Sequence, residues 1–228
     1  LNLYILVAAF AEALAVLADW PLLMNLRPLP CFLMALYVHN KNAGRKFLVP
    51  TLVSIALAVS CLVDLFEVFA DDSSRSVLVG LRTLSHLVYC IALTMGERIR
   101  PFGELRWAAR ALYCAVFGLT VFGLWNIRDA FESRLIHFTF LLTLSLQLCV
   151  ALRRYEITLR SSFLFSLFGS ALLLLAAWGG VWVAGRAAFV VHFVYFCGHY
   201  FLAHGSLHQS NIQFEINKLE DSLRKPHF

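Results

Sequence analysis

A carboxylate, an imidazole and a phenol occur within long apolar segments of this chain, where such groups are costly to bury. Ser60, Asp64 and Glu67 are spaced i, i+4 and i+7, so they share one stripe of a helix. Ionisable groups in such segments normally face the interior of a helix bundle or a water-filled cavity. The stripe therefore predicts an internal polar site with Asp64 as its acid.

A second polar stripe follows on the next apolar segment. Arg82, His86 and Tyr89 are again spaced i, i+4 and i+7, and a similar stripe of His192, Tyr195 and His199 lies near the end of the chain. We expect both stripes to line one shared cavity with Asp64. The alternative is structural: Asp64 would pair with Arg82 or His86 to hold helices together, and the tyrosines would be interface anchors.

The two stripes belong to an internal repeat. Residues 86–89 read His-Leu-Val-Tyr and residues 192–195 read His-Phe-Val-Tyr, an offset of 192 − 86 = 106. The same offset places Asp64 on Ser170, so the second copy carries a hydroxyl where the first carries a carboxylate. The repeat predicts two similar halves.

Composition indicates where these stripes lie. The chain is 60% hydrophobic and 14% charged with a mean hydropathy of +0.74, too apolar for a soluble globule of 228 residues. It predicts an all-α, multi-pass membrane protein. Seven apolar runs approach the length needed to cross a bilayer: Leu3 to Ala18, Leu48 to Ala70, Val77 to Met95, Leu105 to Trp125, Leu135 to Leu152, Phe163 to Ala184 and Ala187 to Ala203.

An eighth span is predicted from Leu22 to Val38, with a kink or restart at Arg27-Pro28-Leu29-Pro30. Eight spans place most Lys and Arg on one side, which predicts both termini in the cytosol or on the matrix side of an organelle. The offset of four helices preserves orientation, so the halves would form two parallel four-helix repeats. The sequence does not indicate which membrane holds the protein.

The domain prediction is a transmembrane domain over residues 1–205 and a tail over 206–228. In the tail, Ser210 and Gln213 resemble a capping box that starts a short amphipathic helix. A chain that opens on Leu1 rather than methionine is expected to have lost residues ahead of it.

Other classes of function are disfavoured. The basic residues are dispersed over short loops, which argues against nucleic-acid binding. The six cysteines are scattered without a Cys-x-x-Cys pair. His204 and His208 have zinc-like spacing but lack a nearby carboxylate, and no bis-histidine haem pair is evident, so neither a metal nor another cofactor is predicted.

Four motifs, in order, resemble the YhhN-like lysoplasmalogenase family of eight-helix membrane proteins. Residues 26–30 resemble its Lys-Pro-Leu-Pro element, and residues 60–64 are similar to its Ser-x-x-Gly-Asp signature with Val63 in place of glycine. His86 and Tyr89 match its His-x-x-Tyr. Residues 164–170 resemble the second aspartate motif with Ser170 where the acid is expected, and the last-helix Tyr and Gln signature is not clearly reproduced.

The resemblance implies hydrolysis of the vinyl ether bond of lysoplasmalogen to a fatty aldehyde and a glycerophospho head. The reaction begins with protonation of carbon, and burial favours the protonated form of the Asp64 carboxyl group. Ser170 cannot stabilise the cation as a second acid would, so we expect weakened or lost activity unless Glu67 or Glu12 substitutes. The predicted catalytic residues are Asp64, Ser170, His86 and Tyr89, and the predicted substrate-binding residues are Ser60, Glu67, Arg82, His192 and Tyr195.

Three interpretations remain open from the sequence. The first is a divergent lysoplasmalogenase-like protein that binds a membrane lipid or lysophospholipid. The second is a non-catalytic structural or accessory subunit with protein partners in a larger membrane assembly. The third is a small transporter, since duplicated halves also suit alternating access.

Overall fold

The computed structural model describes six helices with defined bounds. They are α1 (Leu29–Asn42), α2 (Leu48–Phe69), α3 (Arg75–Thr94), α4 (Phe131–Thr158), α5 (Ser161–Trp182) and α6 (Ala188–Arg224). The described residues are 5, 7–11, 14, 26–69, 75–95, 107, 110, 111, 114, 115, 117, 118, 121, 122, 131–158, 161–182 and 188–224. Their regular structure is entirely helical, which confirms the all-α prediction. The predicted spans 3–18 and 105–125 lie largely outside these residues, so the count of eight stays a prediction.

The proline-rich element determines where α1 begins. Residues 26–28 form a turn, Pro28 occupies the N-cap position and Pro30 lies in the first turn, where its missing N–H has no helical partner to lose. The helix begins one residue before the second proline, and residues 22–25 lie outside the described residues, so the predicted kink or restart of the span stays a prediction. The helix then extends to Asn42, four residues beyond the predicted end at Val38.

Two described helices are long and apolar enough to cross a membrane, α2 over Leu48–Phe69 and the Ser76–Thr94 part of α3. On α2, the apolar side chains of Ile55, Leu62 and Phe66 are 48%, 50% and 54% exposed, whereas Ser60 and Asp64 are buried. This outward apolar and inward polar arrangement is the one expected of a helix surrounded by lipid.

Helices α5 and α6 pack very closely at two glycines. A Cβ atom added to Gly169 would lie 2.8 Å from the carbonyl oxygen of Gly198, and one added to Gly198 would lie 3.0 Å from that of Gly169. Small residues allow such backbone contact between helices in membranes. Because Ser170 and His199 follow these glycines, the close approach positions both.

The internal repeat does not recur in the same packing register. Ser60 on α2 is hydrogen-bonded to Ser85 on α3. The repeat offset of 106 relates these two residues to Ser166 and Val191, so an exact repeat would place Ser166 opposite Val191. Instead, Val191 packs against Gly179. The axial register of α6 along α5 therefore differs from that of α3 along α2. The two-repeat architecture stays a prediction.

The last helix continues without a break from Ala188 to Arg224. The prediction of a new helix capped at Ser210 is wrong, because the Ser210 hydroxyl donates back to the Leu207 carbonyl (2.8 Å) and Gln213 bonds Asn217 (2.9 Å). A serine inside a helix commonly bonds a preceding carbonyl in this way. The distal part of α6 is held by Arg45, which hydrogen-bonds Asn211.

Candidate functional site

Asp64 lies at the centre of a buried polar cluster. The residue is 1% exposed, and its Oδ1 atom lies 3.4 Å from the Tyr195 hydroxyl and 3.7 Å from Nη2 of Arg82. Its Oδ2 atom has no hydrogen-bond partner among the described residues. Most buried polar atoms in proteins are hydrogen-bonded, so this oxygen is an available acceptor inside the bundle.

An ion-pair chain extends from Asp64 towards one end of the bundle. Arg82 also hydrogen-bonds Glu67, and Glu67 Oε2 lies 3.2 Å from Nη1 of Arg27. Arg27 Nη2 in turn lies 2.7 Å from Nε2 of His192. The pairing of Asp64 with Arg82 agrees with the structural alternative, and Glu67 connects α2 and α3 to the turn before α1.

A second group of rings begins next to Tyr195. The Tyr195 ring meets the His199 imidazole edge to face at 4.5 Å between centroids, and the His86 imidazole stacks on His199 at 6.1 Å. The Tyr89 hydroxyl lies 2.9 Å from Nδ1 of His199. Nε2 of His199 has no partner among the described residues, although the side chain is fully buried. Tyr195 therefore contacts both the Asp64 cluster and the imidazole group.

Gln147 on α4 connects His86 to Ser170. Its Oε1 atom lies 2.9 Å from Nδ1 of His86, and its amide NH₂ group donates to the Ser170 hydroxyl over 3.2 Å. All three side chains are buried. Hydrogen bonds and ring contacts thus connect Asp64 through Tyr195, His199, His86 and Gln147 to Ser170.

Ser60 has a different neighbourhood from the one predicted. Its hydroxyl lies 2.8 Å from the Ser85 hydroxyl, which lies 2.8 Å from the Ala56 carbonyl oxygen. These bonds connect α2 to α3, so Ser60 contributes to helix packing. Its predicted contact with substrate stays a prediction.

The model of the YhhN family matches residues 22–206, most of the chain, including every residue of the polar cluster around Asp64 and of the path to Ser170. The chain belongs to the YhhN family. No curated protein and no solved structure matches it.

The predicted site of this YhhN family member comes together only in part. Asp64, Arg82 and Tyr195 meet, and so do His86, Tyr89 and His199, but His192 contacts Arg27. His192 was predicted to line the shared cavity as a substrate-binding residue, and its contact with substrate stays a prediction. It lies beside Arg27 rather than beside His86. The displaced register of α5 and α6 is the physical reason.

Sequence reasoning missed three members of the cluster: Gln147, Arg27 and Cys31. Gln147 is a single amide in an apolar run, a signal that could have been used, and Arg27 was considered only for its proline neighbours. Cys31 is fully buried in the core against which Tyr195 packs; nothing in its spacing distinguishes it from the other cysteines.

The described residues contain no group of three His, Cys, Asp or Glu side chains arranged to hold a metal ion. His204 and His208 both flank the Phe165 ring, with centroids 4.9 Å and 6.3 Å away. Their zinc-like spacing is therefore accounted for by contacts with an aromatic side chain between α5 and α6.

Proposed function

We propose that this chain is a divergent lysoplasmalogenase-like membrane protein that binds a single-chain lipid along the polar path from Asp64 to Ser170. In this proposal its vinyl ether hydrolysis is weakened or lost. The observation that carries the proposal is the environment of Ser170, which accepts a hydrogen bond from Gln147 at a position where the family motif carries an acid. The amide is oriented towards an acceptor, but the acceptor is neutral.

Two unpaired buried atoms support ligand binding on this path. Asp64 Oδ2 and His199 Nε2 have no partner among the described residues, and an unpaired buried polar group costs about 1–3 kcal/mol. Tyr195 contacts both residues. A hydroxyl group of a bound lipid, or the attacking water, could donate to Asp64 Oδ2 and would remove this cost, while an ether oxygen could accept only from His199.

The chemistry explains why Ser170 matters. Protonation of the vinyl ether carbon by the Asp64 carboxyl forms an oxocarbenium ion, and water adds to that cation to give a hemiacetal. The hemiacetal then collapses to a fatty aldehyde and the glycerol hydroxyl. A carboxylate at position 170 would stabilise the cation and orient the water, whereas a serine hydroxyl carries no charge to oppose it.

We further propose a multi-pass arrangement with both termini on the same, basic side. The two membrane-capable helices and the apolar outward face of α2 support it. The clustering of most basic residues in loops on one side supports the orientation. The ligand would then enter between helices from the surrounding lipid.

A photoreactive lysolipid tests the binding proposal. The purified chain in nanodiscs would be incubated with a lysophospholipid that carries a diazirine near the sn-1 bond, irradiated and mapped by mass spectrometry. We expect saturable labelling near Asp64, Tyr195 or His199, with competition by choline lysoplasmalogen. Labelling confined to outward residues such as Leu62 and Phe66, without saturation, would contradict the proposal.

A non-catalytic accessory subunit is the second candidate, and one observation favours it. Arg82 lies between Glu67 and Asp64, so both acids already have a partner that holds α2 to α3. This candidate predicts co-purification with fixed protein partners at constant stoichiometry in mild detergent. It also predicts no saturable lysolipid labelling.

A further inference from the structure

The polar cluster contains two arginines at one end of the bundle. Glu67 lies two residues before the end of α2, about 3 Å along the axis, and His192 lies four residues after the start of α6, about 6 Å. Arg27 precedes the start of α1, and Arg82 lies seven residues inside α3, about 10 Å. The arginines are therefore near the depth at which a lipid presents its head group.

The Arg82 guanidinium has donor capacity beyond its present partners. A guanidinium carries five N–H donors. Arg82 uses Nη2 for both Glu67 and Asp64, and its buried Nε has no partner among the described residues. Arg27 contacts the same Glu67 oxygen, Oε2. The two guanidiniums thus converge on one carboxylate oxygen, which is the kind of arrangement that also receives a phosphate.

The two arginines lie close enough to Asp64 for one lysophospholipid to contact both. Arg82 Nη2 lies 3.7 Å from Asp64 Oδ1, and the Tyr195 hydroxyl lies 3.4 Å from the same oxygen. In a lysophospholipid, only the glycerol carbons separate the phosphate from the sn-1 bond. A phosphate on the arginines would therefore bring the sn-1 bond close to Asp64.

We propose that Arg27 and Arg82 form the phosphate subsite for the head group of a single-chain phospholipid, with Glu67 occupying that subsite when no lipid is bound. The inference rests on the proposed lipid-binding function and adds the phosphate as the recognised group. Binding exchanges Glu67 for the phosphate at the guanidiniums. Glu67 is then a competitor of the ligand, which reverses its predicted role as a substrate-binding residue.

The test compares two single-chain lipids that differ in the phosphate head. Equilibrium binding of lysophosphatidylcholine and of a monoacylglycerol with the same acyl chain would be measured on the full chain in nanodiscs. Arg82→Gln and Arg27→Gln are expected to weaken lysophosphatidylcholine binding about tenfold, the effect of losing a charge-assisted hydrogen bond, and to leave monoacylglycerol binding unchanged. Arg45→Gln is the matched control, because Arg45 contacts Asn211 and Phe214 at the distal part of α6.

Glu67→Gln keeps the test informative if the arginine variants fail to fold. Removing the competing carboxylate is expected to tighten lysophosphatidylcholine binding several-fold without changing monoacylglycerol binding. Inorganic phosphate is expected to compete with lysophosphatidylcholine but not with the monoacylglycerol. If inorganic phosphate binds with the same arginine dependence while both lipids do not, the ligand is a soluble anion and the lipid subsite is wrong.

Two further outcomes distinguish the phosphate subsite from the proposed lipid-binding function. If both lipids bind and no arginine or Glu67 variant distinguishes them, the phosphate subsite is wrong and lipid binding stands. If neither lipid binds and inorganic phosphate does not bind either, the proposed function itself fails.

Discussion

Gln147 donates a hydrogen bond of 3.2 Å to the hydroxyl of Ser170, and its other side-chain atom is held by His86 at 2.9 Å. This relationship places a neutral acceptor at the end of a buried polar path that starts at Asp64. It unites residues from α3, α4 and α5, three helices that are separate in sequence. Under the proposed function, this path would hold the lipid, and the neutral serine would limit vinyl ether cleavage.

Removing the Gln147 amide tests the path as a structural unit. Gln147→Leu is expected to lower the free energy of unfolding by about 1–3 kcal/mol, because it leaves the buried His86 and Ser170 groups without this partner. Unfolding by SDS titration measures this change in the free energy of unfolding. Gln213→Leu is the control, since Gln213 is exposed and bonds only Asn217. Equal stability of the two variants would contradict the assigned network.

The close contact of α5 with α6 predicts an asymmetry between two glycine substitutions. Gly198→Ala is expected to destabilise the chain by about 1–3 kcal/mol, because its Cβ would lie 2.7 Å from Cγ of Leu173 and 3.0 Å from the Gly169 carbonyl oxygen. Gly80→Ala, with nothing within 4 Å, is expected to be neutral or stabilising. Thermal unfolding in detergent compares them, and a neutral Gly198→Ala would rule out the close packing.

Asn42 organises the loop between α1 and α2. Its amide donates to the Phe47 carbonyl over 2.9 Å, and its Oδ1 accepts from the Phe47 backbone N–H over 3.0 Å. Asn42→Ala is therefore expected to cost about 1–2 kcal/mol, whereas Asn40→Ala at an exposed position should cost under about 0.5 kcal/mol. Urea or SDS unfolding would show the difference, and equal costs would refute the assigned role.

Asp64 is expected to be needed for chemistry more than for folding. In a chain that also carries Ser170→Asp, Asp64→Asn should reduce aldehyde release to background, because the amide cannot donate the proton. Lysolipid binding should change by less than about threefold, since the asparagine side chain keeps an oxygen acceptor at this position. Aldehyde release that persists in the double variant would exclude Asp64 as the acid.

Much of the fold and part of the site could be predicted from residue spacing. Helical periodicity correctly places Ser60 and Asp64 on a buried stripe and His86 and Tyr89 on another. The spacing of residues along one helix does not determine which side chains of other helices they contact. That depends on how closely helices approach and on their axial displacement.

The glycine contact between α5 and α6 illustrates this limit. It determines that His199, rather than His192, lies beside His86 and Tyr89. The stripe that contains the repeated peptide predicted one cavity lined by His192, Tyr195 and His199 together, and sequence similarity gives no information on axial displacement. Gln147 was missed for a related reason: an isolated amide in an apolar run becomes informative only when its partners are known.

The central claim is that Ser170 is the position of a missing acid, and aldehyde release from choline lysoplasmalogen by Ser170→Asp tests it most directly. Ser166→Asp is the matched control, since Ser166 is a buried serine one turn earlier on α5. We expect Ser170→Asp to raise the rate at least about tenfold over the unsubstituted chain, with Ser166→Asp unchanged. A folded Ser170→Asp chain that binds the lipid without any gain in aldehyde release would contradict the account.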